Sequence, residues 1–265
     1  MAGASLRRAV ALRAWNAACS AVRRASASNS RRGPVTSADP AQPFVVGVID
    51  SGIHPDHPHI GPVAAGAGFD GEGNLNDDTV DRLGHGTAVA AAIQDFAPAV
   101  HVCPLRVFDR SLDASVEALV AAIDWAAAHG LPLVNLSLGT NDRSRAGVLA
   151  DAVGRAHQAG VVIVAAGSNR GVDWLPGTLD LDGVVRVELD WAYPRGSHRV
   201  TGPPEASVFH TCGYPRPIPG VDPERNLKGL SFAVANVTGI AARAMLGKGL
   251  RAPAAVVSEL RQRVR

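Results

Sequence analysis

Three short stretches of the sequence carry side-chain types suited to nucleophilic chemistry. VIDSGI ends an apolar run on Asp50, and DRLGHGT sets His85 between two glycines before an alanine-rich run typical of a helix. KGLSFAV places Ser231 at the start of an apolar helical run, where the positive end of the helix dipole favours developing negative charge. A serine, a histidine and an aspartate are the types required for a nucleophile, its general base and the group that orients the base.

The elements that must position these residues alternate along the chain. Helical periodicity is expected over 115–129 and 146–158, each followed by a glycine suited to a C-cap. Strand, helix, strand order with near-continuous apolar strands predicts an α/β fold with a doubly wound, mostly parallel sheet flanked by helices. The predicted strands cover residues 44–49, 100–107, 131–138, 161–166 and 184–189.

In such sheets, functional groups collect at the carboxyl ends of the strands. Asp50 follows the first predicted strand, and the pair Ser168 and Asn169 follows the fourth. We therefore expect them at one edge of the sheet. The proline- and glycine-rich stretch 191–228 is expected to be mostly loop and to surround this site.

Together these stretches resemble the subtilisin-like serine peptidase family, whose reactive residues occur in the same order of Asp, His and Ser. Two further blocks match the family: VNLSLGT (134–140) is similar to the segment that pairs with the substrate backbone, and VVIVAAGSN (161–169) to the strand that ends in the oxyanion asparagine. Five blocks in the family order are more specific than any single motif. The resemblance covers about residues 44–246.

The resemblance implies a subtilisin-like three-layer fold and a serine endopeptidase that acts through an acyl-enzyme intermediate on a peptide or protein substrate. Carried over by position, Ser231 attacks the scissile carbonyl, His85 transfers the proton, and Asp50 orients His85. The oxyanion is held by Asn169 and by the backbone amide of Ser231.

Substrate contacts are also implied by the resemblance. Ser137, Leu138 and Gly139 form an edge to which an extended peptide adds by main-chain pairing. The family usually reads AAGN, whereas this chain reads AAGSN, so either Ser168 or Asn169 takes the oxyanion position. We favour Asn169.

Specificity has two interpretations. Aligning LPG (175–177) with the family's S1 segment puts Trp174 near the floor of the S1 pocket, where a bulky indole restricts P1 to small residues. Asp180 or Asp182 could instead favour a basic P1 residue.

Two alternatives to a general endopeptidase remain open. A dedicated processing protease would suit the compact size of the chain. An inactive relative that binds an extended peptide as a scaffold is favoured by departures from the family pattern beside the reactive residues, but the intact Asp50, His85 and Ser231 favour an enzyme. The departures are Ala88, Leu230, Ala235 and Asn236.

Other motifs give only weak support for a metal or cofactor site. A turn-rich loop holds four residues that could bind zinc, but its prolines favour ordinary loop side chains. These four are His54, Asp56, His57 and His59. An acidic loop that could hold structural calcium is better explained as solvated charge. Its acids are Asp70, Glu72, Asp77, Asp78 and Asp81. We predict no catalytic metal and no cofactor.

The first 43 residues form an Arg-, Ala- and Ser-rich extension, which we predict to be disordered, and residues 44–265 are predicted to form the peptidase domain. Seven arginines and one acid up to residue 44 leave a mildly acidic body, which argues against a nucleic-acid partner. The sequence has no uninterrupted apolar run of about 18 residues, so no membrane span is expected. Arg13 breaks any apolar signal region, and three widely spaced cysteines favour free thiols in the cytoplasm. Nothing in the sequence sets an oligomeric state.

Overall fold

The computed structural model describes residues 43–262, and the predicted extension therefore lies outside the described residues except for Pro43. Eleven strands are present in this part of the chain. They are β1 (Val45–Asp50), β2 (Ala67–Phe69), β3 (Leu75–Asn76), β4 (His101–Arg106), β5 (Leu133–Leu136), β6 (Val162–Ala166), β7 (Ser168–Asn169), β8 (Val172–Asp173), β9 (Val184–Leu189), β10 (Arg199–Thr201) and β11 (Val208–Thr211).

Nine of these strands form one sheet in the order β10-β11-β9-β6-β5-β1-β4-β2-β3, while β7 and β8 form a separate antiparallel hairpin. Pairing is parallel from β2 through β11, and only β3 and β10 at the two edges are antiparallel. The prediction of an α/β fold with a doubly wound, mostly parallel sheet is confirmed.

Five α-helices cover this sheet within residues 43–262, and the sheet buries both of its faces. One face packs against α1, α4 and α5, and the opposite face packs against α2 and α3. Alternate residues of one strand supply the two cores, as the period of a strand requires: Val48 faces the first and Ile49 the second. The helices are α1 (His85–Phe96), α2 (Val116–Ala128), α3 (Ala146–Gln158), α4 (Leu230–Lys248) and α5 (Pro253–Gln262).

The long, strongly patterned elements lie where the sequence places them. Ser115 caps α2, because its hydroxyl accepts a hydrogen bond from the Ala118 amide at 3.0 Å, and Gly130 follows with a left-handed φ of 65°. Residues 191–228 are mostly loop, as expected, but two short strands that the sequence did not predict, β10 and β11, lie within this stretch and extend the sheet. Strands of three and four residues are too short to show a recognisable alternation of apolar and polar residues.

The carboxyl ends of the central strands are level, and this sets the position of the site. Ile49 pairs with Leu136, and Leu136 pairs with Ala165, so β1, β5 and β6 end side by side. Asp50 is the last residue of β1. Helices α1 and α4 begin above this edge.

Helix α4 has the length and apolar composition of a membrane-spanning helix, and it is the only such helix among the described residues. However, 78% of its apolar window is buried inside the protein. The burial identifies α4 as the central core helix, whose apolar surface is already covered by the sheet and by α1.

Candidate active site

Asp50 and His85 form a close pair at the carboxyl edge of the sheet. His85 is the first residue of α1, and its Nδ1 lies 2.7 Å from Asp50 Oδ1. Because a carboxylate only accepts, Nδ1 carries the proton and Nε2 is left unprotonated. Asp50 is fully buried, and its Oδ1 also accepts a hydrogen bond from the Ser51 amide at 2.8 Å. The carboxylate is thereby held in one orientation.

The surroundings of His85 raise its pKa above the ordinary value of 6.5. Burial opposes a charged imidazolium and would lower the pKa. The hydrogen bond to Asp50 and the negative charges of Asp50 and Asp81 outweigh that cost. The site is therefore prepared to stabilise a protonated His85.

Asp81 holds the loop that carries His85. Its Oδ1 accepts from the Ser51 hydroxyl at 2.8 Å and from the Gly84 amide at 2.8 Å. Its Oδ2 accepts from the amide of Thr87 at 2.9 Å and from the hydroxyl at 2.6 Å. Ser51 in turn accepts from the Gly86 amide, so one carboxylate ties the end of β1 to the start of α1. The expectation that Asp81 is a solvated loop charge is therefore wrong.

Ser231 is the second residue of α4, after Gly229, which has a φ of 149°. Its hydroxyl donates to the backbone carbonyl of Ser137 at 3.2 Å, and Ser137 Oγ donates back to the Ser231 carbonyl at 3.2 Å. Within residues 43–262, no hydrogen bond joins Ser231 Oγ to His85. Such bonds often form only when a ligand is bound.

A buried chain of hydrogen bonds fixes the start of α4 against β5. The Thr238 hydroxyl donates to Asn135 Oδ1 at 2.9 Å, and Asn135 Nδ2 donates to Ser137 Oγ at 2.7 Å. Asn135 and Thr238 are fully buried. Buried networks whose members are satisfied give a rigid arrangement, so the position of Ser231 relative to Ser137 is well defined. The sequence contains no periodic signal for this contact, because it joins residues about one hundred positions apart.

A cavity of about 320 Å³ opens at this edge of the sheet. The predicted site residues that line it are His85, Ser231, Asn169, Ser137, Leu138, Gly139 and Trp174. Phe108, Leu112, Ala166 and Leu230 complete the lining, and sequence reasoning assigned no role in the site to these four. The lining thus combines a hydroxyl, an imidazole and a side-chain amide with apolar walls, which suits an extended peptide.

Ser168 and Asn169, which the sequence left as alternatives, point in different directions. Asn169 lines the cavity, and its side-chain amide has no hydrogen-bond partner within residues 43–262. Ser168 is absent from the lining; its hydroxyl donates to Asp173 Oδ1 at 2.5 Å and accepts from Arg186 Nη2 at 3.0 Å. This geometry favours Asn169 as a donor into the cavity.

The two acids considered for a basic P1 residue lie away from the cavity lining. Asp180 Oδ1 is 3.9 Å from the guanidinium of Arg186. Asp182 lines a separate cavity together with His157 and Arg261. Of the candidates for specificity, only Trp174 contributes to the cavity at Ser231.

The residues considered for metal binding have other surroundings. Among the described residues, no group of three or more His, Cys, Asp or Glu side chains could hold a metal ion. The rings of His57 and His59 contact one another edge to face, with their centroids 5.3 Å apart. Asp70 accepts from the Asn74 amide at 2.8 Å, and Asp78 lies 2.9 Å from Arg82, so both carboxylates are occupied by the protein itself.

Comparison with known proteins gives a consistent picture. Residues 41–185 match the model of the Subtilase family. Subtilisin DY from Bacillus licheniformis is 32% identical over 217 residues, which span 74% of this chain and 74% of that protein. The thermostable alkaline protease of Halalkalibacterium halodurans is 30% identical over 236 residues, or 83% of this chain and 60% of that protein. The crystal structure of the nisin leader peptidase NisP from Lactococcus lactis superposes with a TM-score of 0.62 at 20% identity, over 83% of this chain and 82% of that one.

Proposed function

The chain belongs to the subtilase family of serine peptidases, and on this premise we propose that Asp50, His85 and Ser231 are its catalytic triad. The family resemblance read from the sequence is confirmed, and the protein is a subtilisin-like serine endopeptidase. The observation that carries the assignment of the triad is the 2.7 Å contact between His85 Nδ1 and buried Asp50, beside a cavity that also holds Ser231.

The first step forms the acyl-enzyme. When a peptide enters the cavity, the Ser231 hydroxyl leaves the carbonyl of Ser137, gives its proton to His85 Nε2, and bonds to the scissile carbonyl carbon. The imidazolium that results is stabilised by Asp50. His85 then protonates the leaving amine as the peptide bond breaks. Water next gives a proton to His85 Nε2 and bonds to the acyl carbonyl carbon, and His85 returns the proton to Ser231 Oγ as the ester bond breaks and the acid leaves.

The oxyanion forms between two donors in this proposal. The amide of Ser231 is one of the first N–H groups of α4, which have no acceptor within the helix. The side-chain amide of Asn169 supplies the second donor. Because neither donor needs to break a protein hydrogen bond first, both are prepared for the developing charge.

The substrate is proposed to lie extended along residues 137–139, directly after β5. Thr140 exchanges two backbone hydrogen bonds with Leu175, at 3.2 and 2.8 Å, so this segment is held against the one that carries Trp174. At Gly139 a Cβ would lie 2.3 Å from the Leu175 carbonyl oxygen, which explains the glycine. Main-chain pairing would supply affinity, and the pocket at Trp174 would supply selectivity.

Intact mass after treatment with a fluorophosphonate tests the triad. We expect one adduct on the wild type and none on Ser231→Ala. His85→Ala should fold and label far more slowly, since the base is lost. A well-folded wild type that takes up no adduct would contradict the proposal and would favour a peptide-binding scaffold.

We further propose a restricted, processing type of specificity. The cavity at Ser231 is about 320 Å³, and the indole of Trp174 occupies part of its wall. The structural neighbour NisP is described as a leader peptidase, and we propose a comparable processing role for this chain. A positional-scanning peptide library should show preference for small P1 residues, and Trp174→Gly should admit larger ones. A wild-type preference for large P1 residues would refute the role of Trp174.

A further inference from the structure

A group of polar side chains lies beneath the β7–β8 hairpin, outside the cavity. This support cluster consists of Ser168, Asp173, Arg186 and Glu188. Arg186 and Glu188 project from β9, and the Arg186 Nε and Nη2 atoms donate to Glu188 Oε1 at 3.0 and 2.6 Å. Their side chains are only 23% and 21% exposed, so this pair is better shielded than a surface ion pair.

The Arg186–Glu188 pair contacts both the backbone and the side chain of Ser168 in the hairpin. The Ser168 amide donates to Glu188 Oε1 at 3.3 Å, and Arg186 Nη2 donates to the Ser168 hydroxyl at 3.0 Å. Ser168 then donates to Asp173 on the opposite strand at 2.5 Å. All four members are therefore connected, and the connection runs from the main sheet to the hairpin.

Gly167 is required for this arrangement. A Cβ at position 167 would lie 2.9 Å from Arg186 Cγ and 3.0 Å from Glu188 Cγ. The absent side chain lets Arg186 and Glu188 pass close beneath the backbone that leads into the hairpin. The glycine thus has a packing role that is separate from backbone conformation.

Alternation along a strand connects the support cluster to the cavity. Successive residues of a strand point to opposite faces. Because the Ser168 side chain faces the support cluster, the Asn169 side chain faces the cavity. Ser168 and Asp173 are directly paired across the hairpin and share the lower face. Asn169 and Trp174, the residues after them, both line the cavity.

We propose that Arg186 and Glu188 are positioning residues, which hold the hairpin so that the Asn169 amide points to the oxyanion. This inference rests on the proposed function of Asn169. The Asn169 amide has no other protein partner in the described chain. Its direction therefore depends on the hairpin, which the Arg186–Glu188 pair holds in place. Ser168, the residue inserted in AAGSN, is the contact through which the pair acts.

The test compares Arg186→Met with Arg199→Met. Arg199 lies on the same sheet and forms an ion pair with Asp190 at 3.3 Å, but it does not touch the hairpin. The substrate is a p-nitroanilide peptide cleaved by the wild type, and the inhibitor is the aldehyde of the same sequence. For Arg186→Met we expect kcat to fall about tenfold with KM nearly unchanged, and aldehyde affinity to fall in parallel, because displaced donors lose transition-state contacts. Arg199→Met should change neither.

A double-mutant cycle with Asn169→Ala separates the explanations. If Arg186 acts through Asn169, Arg186→Met should lower kcat in the wild-type background and have little effect in the Asn169→Ala background. Equal losses in both backgrounds, or no loss in the wild type, would overturn the inference. A normal kcat for Asn169→Ala alone would instead refute the proposed oxyanion role, and the inference would fail with it.

Ser168→Ala serves as a second variant if Arg186→Met does not fold. It removes one hydroxyl and leaves the ion pair intact. We expect a smaller decrease in kcat, in the same direction and also dependent on Asn169. An unchanged kcat and aldehyde affinity in this well-folded variant would overturn the inference as well.

Discussion

The two sides of the cavity hold their functional side chains in different ways. On the His85 side, a fully buried carboxylate and a partly buried one, Asp50 and Asp81, accept hydrogen bonds from the ring and from the loop around it. On the Asn169 side, an arginine and a glutamate act only through the hairpin backbone and Ser168. One side therefore changes the charge state of its functional group, whereas the other affects only position.

This difference predicts graded effects. Loss of a charge that contacts the base should alter the chemistry directly and shift its pH dependence. Loss of a contact beneath the hairpin should alter only the orientation of the Asn169 amide, which is a neutral donor. Substitutions on the two sides of the cavity test this contrast.

The largest effect is expected for Asp50→Asn. An amide at this position favours the wrong tautomer of His85 and cannot stabilise the imidazolium, so kcat should fall by about 10⁴-fold with a small change in KM. Steady-state kinetics on a peptide substrate measure this. Asp56→Asn, in the exposed loop that follows, is the matched control and should behave like the wild type. A loss below about tenfold in Asp50→Asn would show that Asp50 does not orient the base.

Asn169→Ala should have the next largest effect, a loss of about 10² to 10³ in kcat from one missing oxyanion donor. Asn141→Ala is the control, because Asn141 is exposed nearby and makes no described hydrogen bond. A large loss in Ser168→Ala together with normal activity in Asn169→Ala would assign the oxyanion contact to Ser168 instead.

Asp81→Asn should cause a moderate loss on the His85 side. An amide keeps one acceptor oxygen but loses the other, so either the Thr87 or the Ser51 and Gly84 contacts are broken. We expect the free energy of unfolding to fall by about 1–3 kcal/mol and kcat/KM to fall about tenfold. Chemical denaturation and kinetics measure both. Asp77→Asn, an exposed acid of the same loop, should change neither value.

The smallest effect concerns pH. His85 must be neutral to accept the proton, and its pKa is raised above 6.5, so kcat/KM should decrease as the pH falls through a value above 6.5. Asp81→Asn removes one negative charge and should move this midpoint downward. Arg186→Met should leave it in place, since the support cluster acts on position. A wild-type midpoint below 6.5 would contradict the raised pKa.

Much of the fold was predictable because the central strands and helices carry strong periodic signals. The run VVRVEL predicts a strand over 184–189, and β9 covers these residues. Ala146–Gln158 was likewise predicted with its correct ends. The two-residue strands β7 and β8 were missed, because a hairpin of this length has no period and forms only against the sheet beneath it.

The residues of the candidate site also fall into those that local motifs predicted and those that they did not. Motifs that surround single residues marked Asp50, His85 and Ser231, and the resemblance of five blocks to one family pointed to one cavity. The choice between Ser168 and Asn169 could not be made from AAGSN, since either residue fits the pattern of letters. The sequence pattern identified Arg186 and Glu188 only as polar residues in a strand, and it predicted Asp81 to be a solvated loop charge.

By itself, the sequence determined the fold class, the order of the elements and the candidates for the reactive side chains, because these depend on local periodicity and on motifs of a few residues. Only the tertiary structure decided that Asn169 faces the cavity, that Asp81 joins two loops, and that Arg186 and Glu188 lie beneath the hairpin. These contacts depend on which strands lie side by side and on which face each side chain leaves. Both are properties of packing between distant segments, which no local pattern records.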